Sequence, residues 1–318
     1  MLGFLIVLLS SFFFCFQNVI VRVLFNQVSI LGVIQTGGFV TPTLQHSFLL
    51  MFMRMVLVVP LMGAIASQLY PPTWKELGRL RQLEQRSLLL QSVGCGLLMF
   101  LYLALLYVSL GMIAAGISMT LFFTYPVFTA LFSWRWFGDR PTLLRWSVMS
   151  FVFVGSALTI PHHSTTTTNH TWIGITTGLA AGVTYALYTV FAQKSFERLH
   201  PVPFTWLSFA TTLVLSGISL LVWHGQEAHL PWVPLWIGGL LSALFTFAGH
   251  LLNNIGIRSI GATSAAMVAA SNPALTAVLA WVAIQEMLSG LQIVGVAIAS
   301  LGVALLSREH RASASKAS

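Results

Sequence analysis

The sequence predicts an all-α polytopic membrane protein of ten transmembrane helices, arranged as two inverted five-helix repeats. Three observations lead to this fold class: the composition, the placement of basic residues and an internal repeat. Of the 318 residues, 57% are hydrophobic and only 7% are charged, whereas a soluble domain carries about 25% charged residues. So few charged side chains cannot cover a water-facing surface, and most of the chain must face lipid or other apolar helices.

Ten apolar runs are long enough to cross the hydrocarbon core, which takes about 20 helical residues. Because lipid cannot hydrogen-bond an open backbone, these runs must be helical. The segment 23–46 is apolar but broken by Gly37, Gly38 and Pro42, and it predicts an outer loop or a partly embedded hairpin. The predicted spans are 2–21, 48–70, 87–108, 111–137, 142–160, 172–192, 203–223, 232–256, 262–285 and 289–307.

The basic residues orient the predicted bundle. With the N-terminus in the cytoplasm, thirteen of the fifteen Lys and Arg residues fall at the inner side, Arg22 falls in an outer loop and Arg54 lies within the second span. Because Lys and Arg are enriched in cytoplasmic loops, this bias predicts an even number of spans, with both termini cytoplasmic, in a plasma (inner) membrane. It also accounts for the net charge of +8 without a nucleic-acid partner.

The stretch TYPVFTALFSWRWFGD (124–139) repeats in outline as SNPALTAVLAWVAIQE (271–286), 147 residues later. The alignment continues without a gap to Leu158, and each copy holds five predicted spans. Because five is an odd number, the second copy is inverted in the membrane relative to the first. Inverted repeats are typical of secondary transporters, in which two related packings open one site to either side. The matched pairs include Pro126 with Pro273, Thr129 with Thr276, Trp134 with Trp281, Asp139 with Glu286 and Gly155 with Gly302.

On these residues the chain resembles the EamA-type family of the drug/metabolite transporter superfamily. The resemblance rests on YVSLGMIAAG with RSIGATSAAM, the two Pro-to-acid stretches, VGSAL with LGVAL, and FMRMVLVVPL around Arg54. It implies an exporter or exchanger of small metabolites, with a cavity lined by helices 1, 3, 4, 6, 8 and 9. It also implies EamA-like repeats at 1–160 and 172–307, an outer linker at 161–171 and a basic cytoplasmic tail at 308–318. Asp139 departs from the family's usual glutamate, which is one methylene longer.

Polar side chains inside the spans are the candidate substrate-cavity residues, because polar groups in mid-bilayer are costly unless they meet each other, substrate or water. His250, Asn253 and Asn254 lie at i, i+3 and i+4 in span 8 and share one helix face. They either line the cavity or hydrogen-bond neighbouring helices. The other candidates, with comparable alternatives, are Thr184, Tyr185 and Tyr188 in span 6, Gln17 and Asn18 in span 1, Tyr102 in span 3, Tyr125 in span 4 and Asn272 in span 9.

The repeated prolines and acids have structural and functional interpretations. Pro126 and Pro273 lie inside predicted spans, where a proline removes a backbone hydrogen bond and predicts a helix kink, either static or used in gating. Asp139 and Glu286 close the same spans, and each precedes the positive end of the next helix, which favours an anion. We expect both acids to mark helix ends, with proton coupling as the alternative for Glu286.

Arg54 and the two cysteines complete the unusual residues within the spans. Arg54 is expected to extend its guanidinium to the lipid headgroups, the alternative being a substrate carboxylate or an internal acid as its partner. Cys15 and Cys95 are expected to be small buried hydrophobic residues. The histidines of the linker HHSTTTTNH (162–170) fit no standard metal spacing, and neither metal nor cofactor is predicted.

These patterns favour a secondary transporter of a small neutral or zwitterionic metabolite, with a proton or another ion as a candidate coupling partner. A passive channel or a lipid-translocating protein is the alternative. An enzyme is disfavoured, because the chain has only seven acidic residues, almost all at span ends, and no H-E-x-x-H motif.

Overall fold

The computed structural model describes residues 2–41, 43–82, 85–112, 121–138, 140–158, 169–222, 230–269 and 271–285, and parts of 290–301. These residues are mostly helical. The helices are α1 (Leu2–Phe25), α2 (Leu44–Leu69), α3 (Thr73–Arg79), α4 (Arg86–Met112), α5 (Tyr125–Phe137), α6 (Leu143–Leu158), α7 (Asn169–Ser195), α8 (Pro201–Val222), α9 (Trp232–Ile260), α10 (Ala262–Ala269) and α11 (Asn272–Ile284). Two short strands, β1 (Gln27–Ile30) and β2 (Ile34–Gly37), lie between α1 and α2.

Six of these helices, α1, α2, α4, α7, α8 and α9, are long and apolar enough to cross a membrane. They correspond to the predicted spans 1, 2, 3, 6, 7 and 8. Their outer faces expose large hydrophobic side chains such as Leu5, Leu9, Ile218 and Leu240, which is the surface expected of a protein dissolved in lipid. The chain is therefore an integral membrane protein, while the full ten-helix inverted arrangement stays a prediction.

Helices α1 and α9 pack closely because glycines on each helix admit side chains from the other. A Cβ atom added at any of these glycines would lie within 3.0 Å of the facing side chain. The residue numbers on α1 fall as those on α9 rise, so the two helices are antiparallel. The contacts are Leu24 with Gly238, Phe14 with Gly249, Val7 with Gly256 and Ile260 with Gly3.

Helices α4 and α7 form a second antiparallel pair. The Ser109 hydroxyl donates to the Gly174 carbonyl at 2.8 Å, and Gln91 Nε2 donates to the Phe191 carbonyl at 3.3 Å. Helices α2 and α8 form a third, because Gly63 faces Trp206 near one end and Gly217 faces Phe52 near the other.

The predicted fourth and ninth spans differ from the expectation of continuous, kinked helices. Helix α5 begins at Tyr125, one residue before Pro126, and α11 begins at Asn272, one residue before Pro273. Each proline therefore lies in the first turn of a described helix and not in a helix interior, and its use as a kink in gating stays a prediction. In the first turn of a helix a proline costs little, because the N–H it lacks has no partner within the helix there. The ninth span is thus interrupted between α10 and α11.

The segment between α1 and α2 forms a hairpin, one of its two predicted forms. Its strands pair antiparallel, with Gln27 opposite Gly37 and Ile30 opposite Ile34. At the tip, Val33 N–H donates to the Ile30 carbonyl, and Leu31 takes the left-handed φ of 50° that few leucines adopt. The Leu31 N–H donates to the Ala283 carbonyl at 2.9 Å, which joins the hairpin tip to α11.

Candidate functional site

The polar face of α9 lies inside the bundle, as its helical spacing indicated. His250, Asn253 and Asn254 are all buried. Asn254 is fully enclosed: its Oδ1 accepts from the Tyr188 hydroxyl at 3.1 Å and its Nδ2 donates to Thr205 Oγ1 at 2.8 Å. Asn254 therefore joins α7, α8 and α9, and its geometry matches the hydrogen-bonding alternative.

Four of the predicted site residues form one aromatic group, which we call the tyrosine cluster: Tyr102, Tyr125, Tyr185 and Tyr188. Tyr185 is central, with its ring 4.8 Å from that of Tyr102 and 4.7 Å from that of Tyr125, both edge-on. The Tyr188 ring lies 5.9 Å from Tyr185. The Tyr188 hydroxyl donates to Asn254 Oδ1, so the cluster is continuous with the α9 polar face.

The hydrogen bond of Thr184 does not reach the tyrosine cluster. Its hydroxyl donates to the Ala180 carbonyl of its own helix at 2.7 Å. A Thr hydroxyl that donates to the carbonyl four residues earlier needs no partner on another helix.

The predicted residues of α1 form separate links. Asn18 Nδ2 donates to Asn272 Oδ1 at 3.3 Å, and Asn272 Nδ2 donates to the Ser11 carbonyl at 3.3 Å. Asn272 thereby fastens the first turn of α11 to α1. Gln17 Oε1 accepts from Thr246 Oγ1 at 2.8 Å, which joins α1 to α9. Each of these three side chains connects helices in the described structure.

Arg54 is the residue that the sequence placed wrongly. Its side chain is only 2% exposed, so it points into the bundle instead of reaching the headgroups. Arg54 lies on α2, which packs against α4 and α9, the helices that carry Tyr102 and His250. A charged residue in the centre of a membrane helix costs about 2.5–3.5 kcal/mol to insert, and such residues face the bundle interior or a water-filled path. That cost favours an inward Arg54, but the sequence is also compatible with extension to the headgroups.

Three buried nitrogens in this region have no hydrogen-bond partner among the described residues: Arg54 Nε, His250 Nδ1 and Asn253 Nδ2. The His250 ring is held edge-on between Phe14 and Phe209, at 4.9 and 5.6 Å. Two of the three nitrogens are donors, and the third can be a donor in one imidazole tautomer. The region therefore offers hydrogen-bond donors that the described protein groups leave unused.

A second polar group lies where α2 ends and α8 begins. The Tyr70 and His200 rings stack with centroids 3.9 Å apart, and the Tyr70 hydroxyl donates to Glu76 Oε1 at 2.5 Å. That hydrogen bond raises the pKa of Tyr70 above its usual 10.0. Burial, with the Arg258 guanidinium, lowers the pKa of His200 below its usual 6.5. His200 is therefore neutral at pH 7.

Asp139 and Glu286 lie outside the described residues, as do most of the linker and the whole basic tail. Cys15 and Cys95 are free and buried, as predicted. Among the described residues no group of three His, Cys, Asp or Glu side chains could hold a metal ion.

Comparison with known proteins identifies the family. Residues 172–308 match the EamA-like transporter family. Over 309 residues the chain is 56% identical to "Uncharacterized transporter sll1319" of Synechocystis sp., which covers 97% of this chain and 94% of the relative. The chain belongs to the EamA-like transporter family. It is therefore a transporter of the drug/metabolite transporter superfamily, as its repeated motifs indicated.

More distant relatives carry a functional name. "Threonine/homoserine exporter RhtA" of Escherichia coli (strain K12) is 26% identical over 232 residues, which are 71% of this chain and 74% of that protein. A solved crystal structure superposes with a TM-score of 0.72 over 97% of this chain and 98% of its own, at 14% identity. At that identity the likeness establishes the fold alone.

Proposed function

We propose that this EamA-family transporter is a secondary transporter that exports or exchanges a small neutral or zwitterionic metabolite by alternating access. Its site would lie between two inverted five-helix repeats, at the tyrosine cluster and the α9 polar face. The single observation that carries the proposal is the pairing of the helices. Alternating access needs two arrangements of similar energy, and a protein whose halves are related by a two-fold axis provides them.

The observed pairs of helices are the ones expected from two-fold symmetry. Exchanging the two repeats converts predicted span 1 (α1) into span 6 (α7), span 3 (α4) into span 8 (α9), and span 2 (α2) into span 7 (α8). The α1–α9 pair then becomes the α7–α4 pair, and both pairs are closely packed. The α2–α8 pair becomes itself. Because α2 and α8 run antiparallel, their relation is the one that inverted repeats require.

The family match favours the proposed domain boundaries, since it spans 172–308 and the proposed second repeat spans 172–307. A C-terminal reporter fusion tests the topology. Fluorescence of a cytoplasmic reporter fused after residue 318, with no activity of a reporter that matures only outside the cytoplasm, is the expected result.

The name of the RhtA relatives suggests the first solutes to test. L-Threonine and L-homoserine are zwitterions with one hydroxyl, and the interior described above offers aromatic faces, amides and an arginine. Aromatic faces attract cationic groups, and amides and guanidinium donate to carboxylates. We therefore propose small hydroxyl-bearing amino acids as candidate substrates.

Counterflow in proteoliposomes tests the mechanism. Vesicles containing the purified protein are loaded with unlabelled threonine, and uptake of labelled threonine is followed with and without that load. An alternating-access carrier gives saturable uptake that the internal load accelerates. Flux linear in concentration would indicate a channel, and movement of labelled lipid between leaflets without solute flux would indicate a lipid-translocating protein. Repeating the assay with an imposed pH gradient determines whether protons are coupled to transport.

A further inference from the structure

The buried cation of α2 has no described counter-ion. Arg54 is 2% exposed, and its Nε has no hydrogen-bond partner among the described residues. Of the two carboxylates that the structure describes, Glu76 lies on α3 and bonds Tyr70, and Glu197 is exposed. An arginine keeps its charge under all ordinary conditions. The interior thus holds a permanent positive charge whose compensation does not come from these acids.

The surroundings of Arg54 add hydrogen-bond donors to that charge. Helix α2 packs against α9, which carries the buried His250, and against α4, which carries the buried Tyr102. Asn253, one helical turn along the same face as His250, holds an unpaired Nδ2. Positive charge with unused donors is complementary to an anion, and the planar guanidinium fork matches a carboxylate in particular.

We propose that Arg54 binds a carboxylate of the transported solute, so that the substrate class is carboxylate-bearing metabolites and excludes solutes that lack a carboxylate. This inference rests on the proposed transport function and narrows its neutral-or-zwitterionic substrate to the zwitterion. The carboxylate lies at Arg54, with the donors of the α9 polar face beside it. The rest of the solute extends toward the tyrosine cluster, whose aromatic faces suit an ammonium group.

The substrate itself gives the first test, which needs no variant. Proteoliposomes with wild-type protein are offered L-threonine and its carboxyl-free analogue threoninol, in which CH₂OH replaces the carboxylate. Both keep the ammonium and the hydroxyl groups. We expect saturable counterflow of threonine and failure of threoninol to compete with it. Equal transport of the two compounds would overturn the assignment of Arg54.

The variants Arg54→Gln and Arg54→Lys give the second test. Loss of the charge-assisted contact in Arg54→Gln is expected to raise the half-saturating threonine concentration by about 10- to 100-fold. Arg54→Lys keeps the charge but loses the fork, and its effect is expected to be intermediate. Arg135→Gln is the matched control, because it removes the same charge from an exposed position on α5 and should leave half-saturation unchanged. An unaltered half-saturating concentration in well-folded Arg54→Gln would refute the inference.

Metabolite profiles of the culture medium extend the test beyond threonine. Solutes that accumulate outside cells expressing wild-type protein, and not outside cells expressing Arg54→Gln, should carry a carboxylate. Export of solutes without a carboxylate would contradict this inference and leave the transport proposal standing. A wild-type protein that moves no solute with saturation would instead contradict the proposed function.

Discussion

The substitution Gly256→Ala tests the close contact between α1 and α9. A Cβ atom built at Gly256 would lie 2.2 Å from Cγ2 of Val7, whereas ordinary contact distances are 3.4–4 Å. Val7 is fully buried and β-branched, so its methyl group cannot simply rotate away. The variant Gly256→Ala must therefore push the two helices apart by more than an ångström or distort one of them.

The opposite end of α9 supplies the control. A Cβ atom at Gly239 would meet no atom within 4 Å, so Gly239→Ala adds the same methyl group without a clash. Both variants gain about 0.5–1 kcal/mol from replacing a helical glycine by alanine. That gain is the same in the two variants, so the difference between their unfolding free energies measures the cost of the clash alone. Overpacking of a core typically costs about 1–3 kcal/mol.

Thermal unfolding of the purified protein in one detergent measures this difference. We expect Gly256→Ala to melt below Gly239→Ala, and the truncation Val7→Ala to cost less in the Gly256→Ala background than in wild type. Equal melting temperatures of the two glycine variants, or additive effects of Val7→Ala, would refute the described packing of α1 on α9.

Further predictions concern the polar residues. Asn254→Ala should lower stability, and Tyr188→Phe should cost about 0.6–1.7 kcal/mol less in that background than alone, because the two groups share a hydrogen bond; additive unfolding energies would contradict this. His250→Ala should reduce counterflow with expression unchanged, and normal kinetics would remove His250 from the site. Because the folded pKa of His200 lies below its unfolded value near 6.5, the unfolded state binds more protons as pH falls, so melting temperature should decrease from pH 7 to 5. His200→Gln should flatten that decrease, and an unchanged slope would contradict it.

Helical periodicity predicted which polar residues of α9 share a face, because spacing of three and four residues is a local property. It could not separate their roles. Asn254 is saturated by Tyr188 and Thr205, which lie 66 and 49 residues away along the chain. Asn253 Nδ2, one residue before, is left without a described partner. That difference depends on how neighbouring helices pack, which no local pattern encodes.

Arg54 was misplaced for a related reason. Near the outer end of a span, a long basic side chain can reach the headgroups or turn inward, and both are compatible with the same sequence. Rotation of α2 about its axis decides between them, and packing against α8 and α9 determines that rotation. The prolines were misplaced because a proline inside an apolar run fits a kinked helix as well as the start of a new one.

The hairpin tip has a consequence for following the protein at work. Because the Leu31 amide proton is held by the Ala283 carbonyl, its hydrogen exchange rate reports how firmly α11 is docked beneath the hairpin. Leu31 also takes an unfavourable backbone conformation while its side chain is exposed, so the surrounding contacts must hold it in place. In deuterium-exchange mass spectrometry, deuterium uptake by a peptide covering residues 27–37 would therefore report motion of the interrupted ninth span.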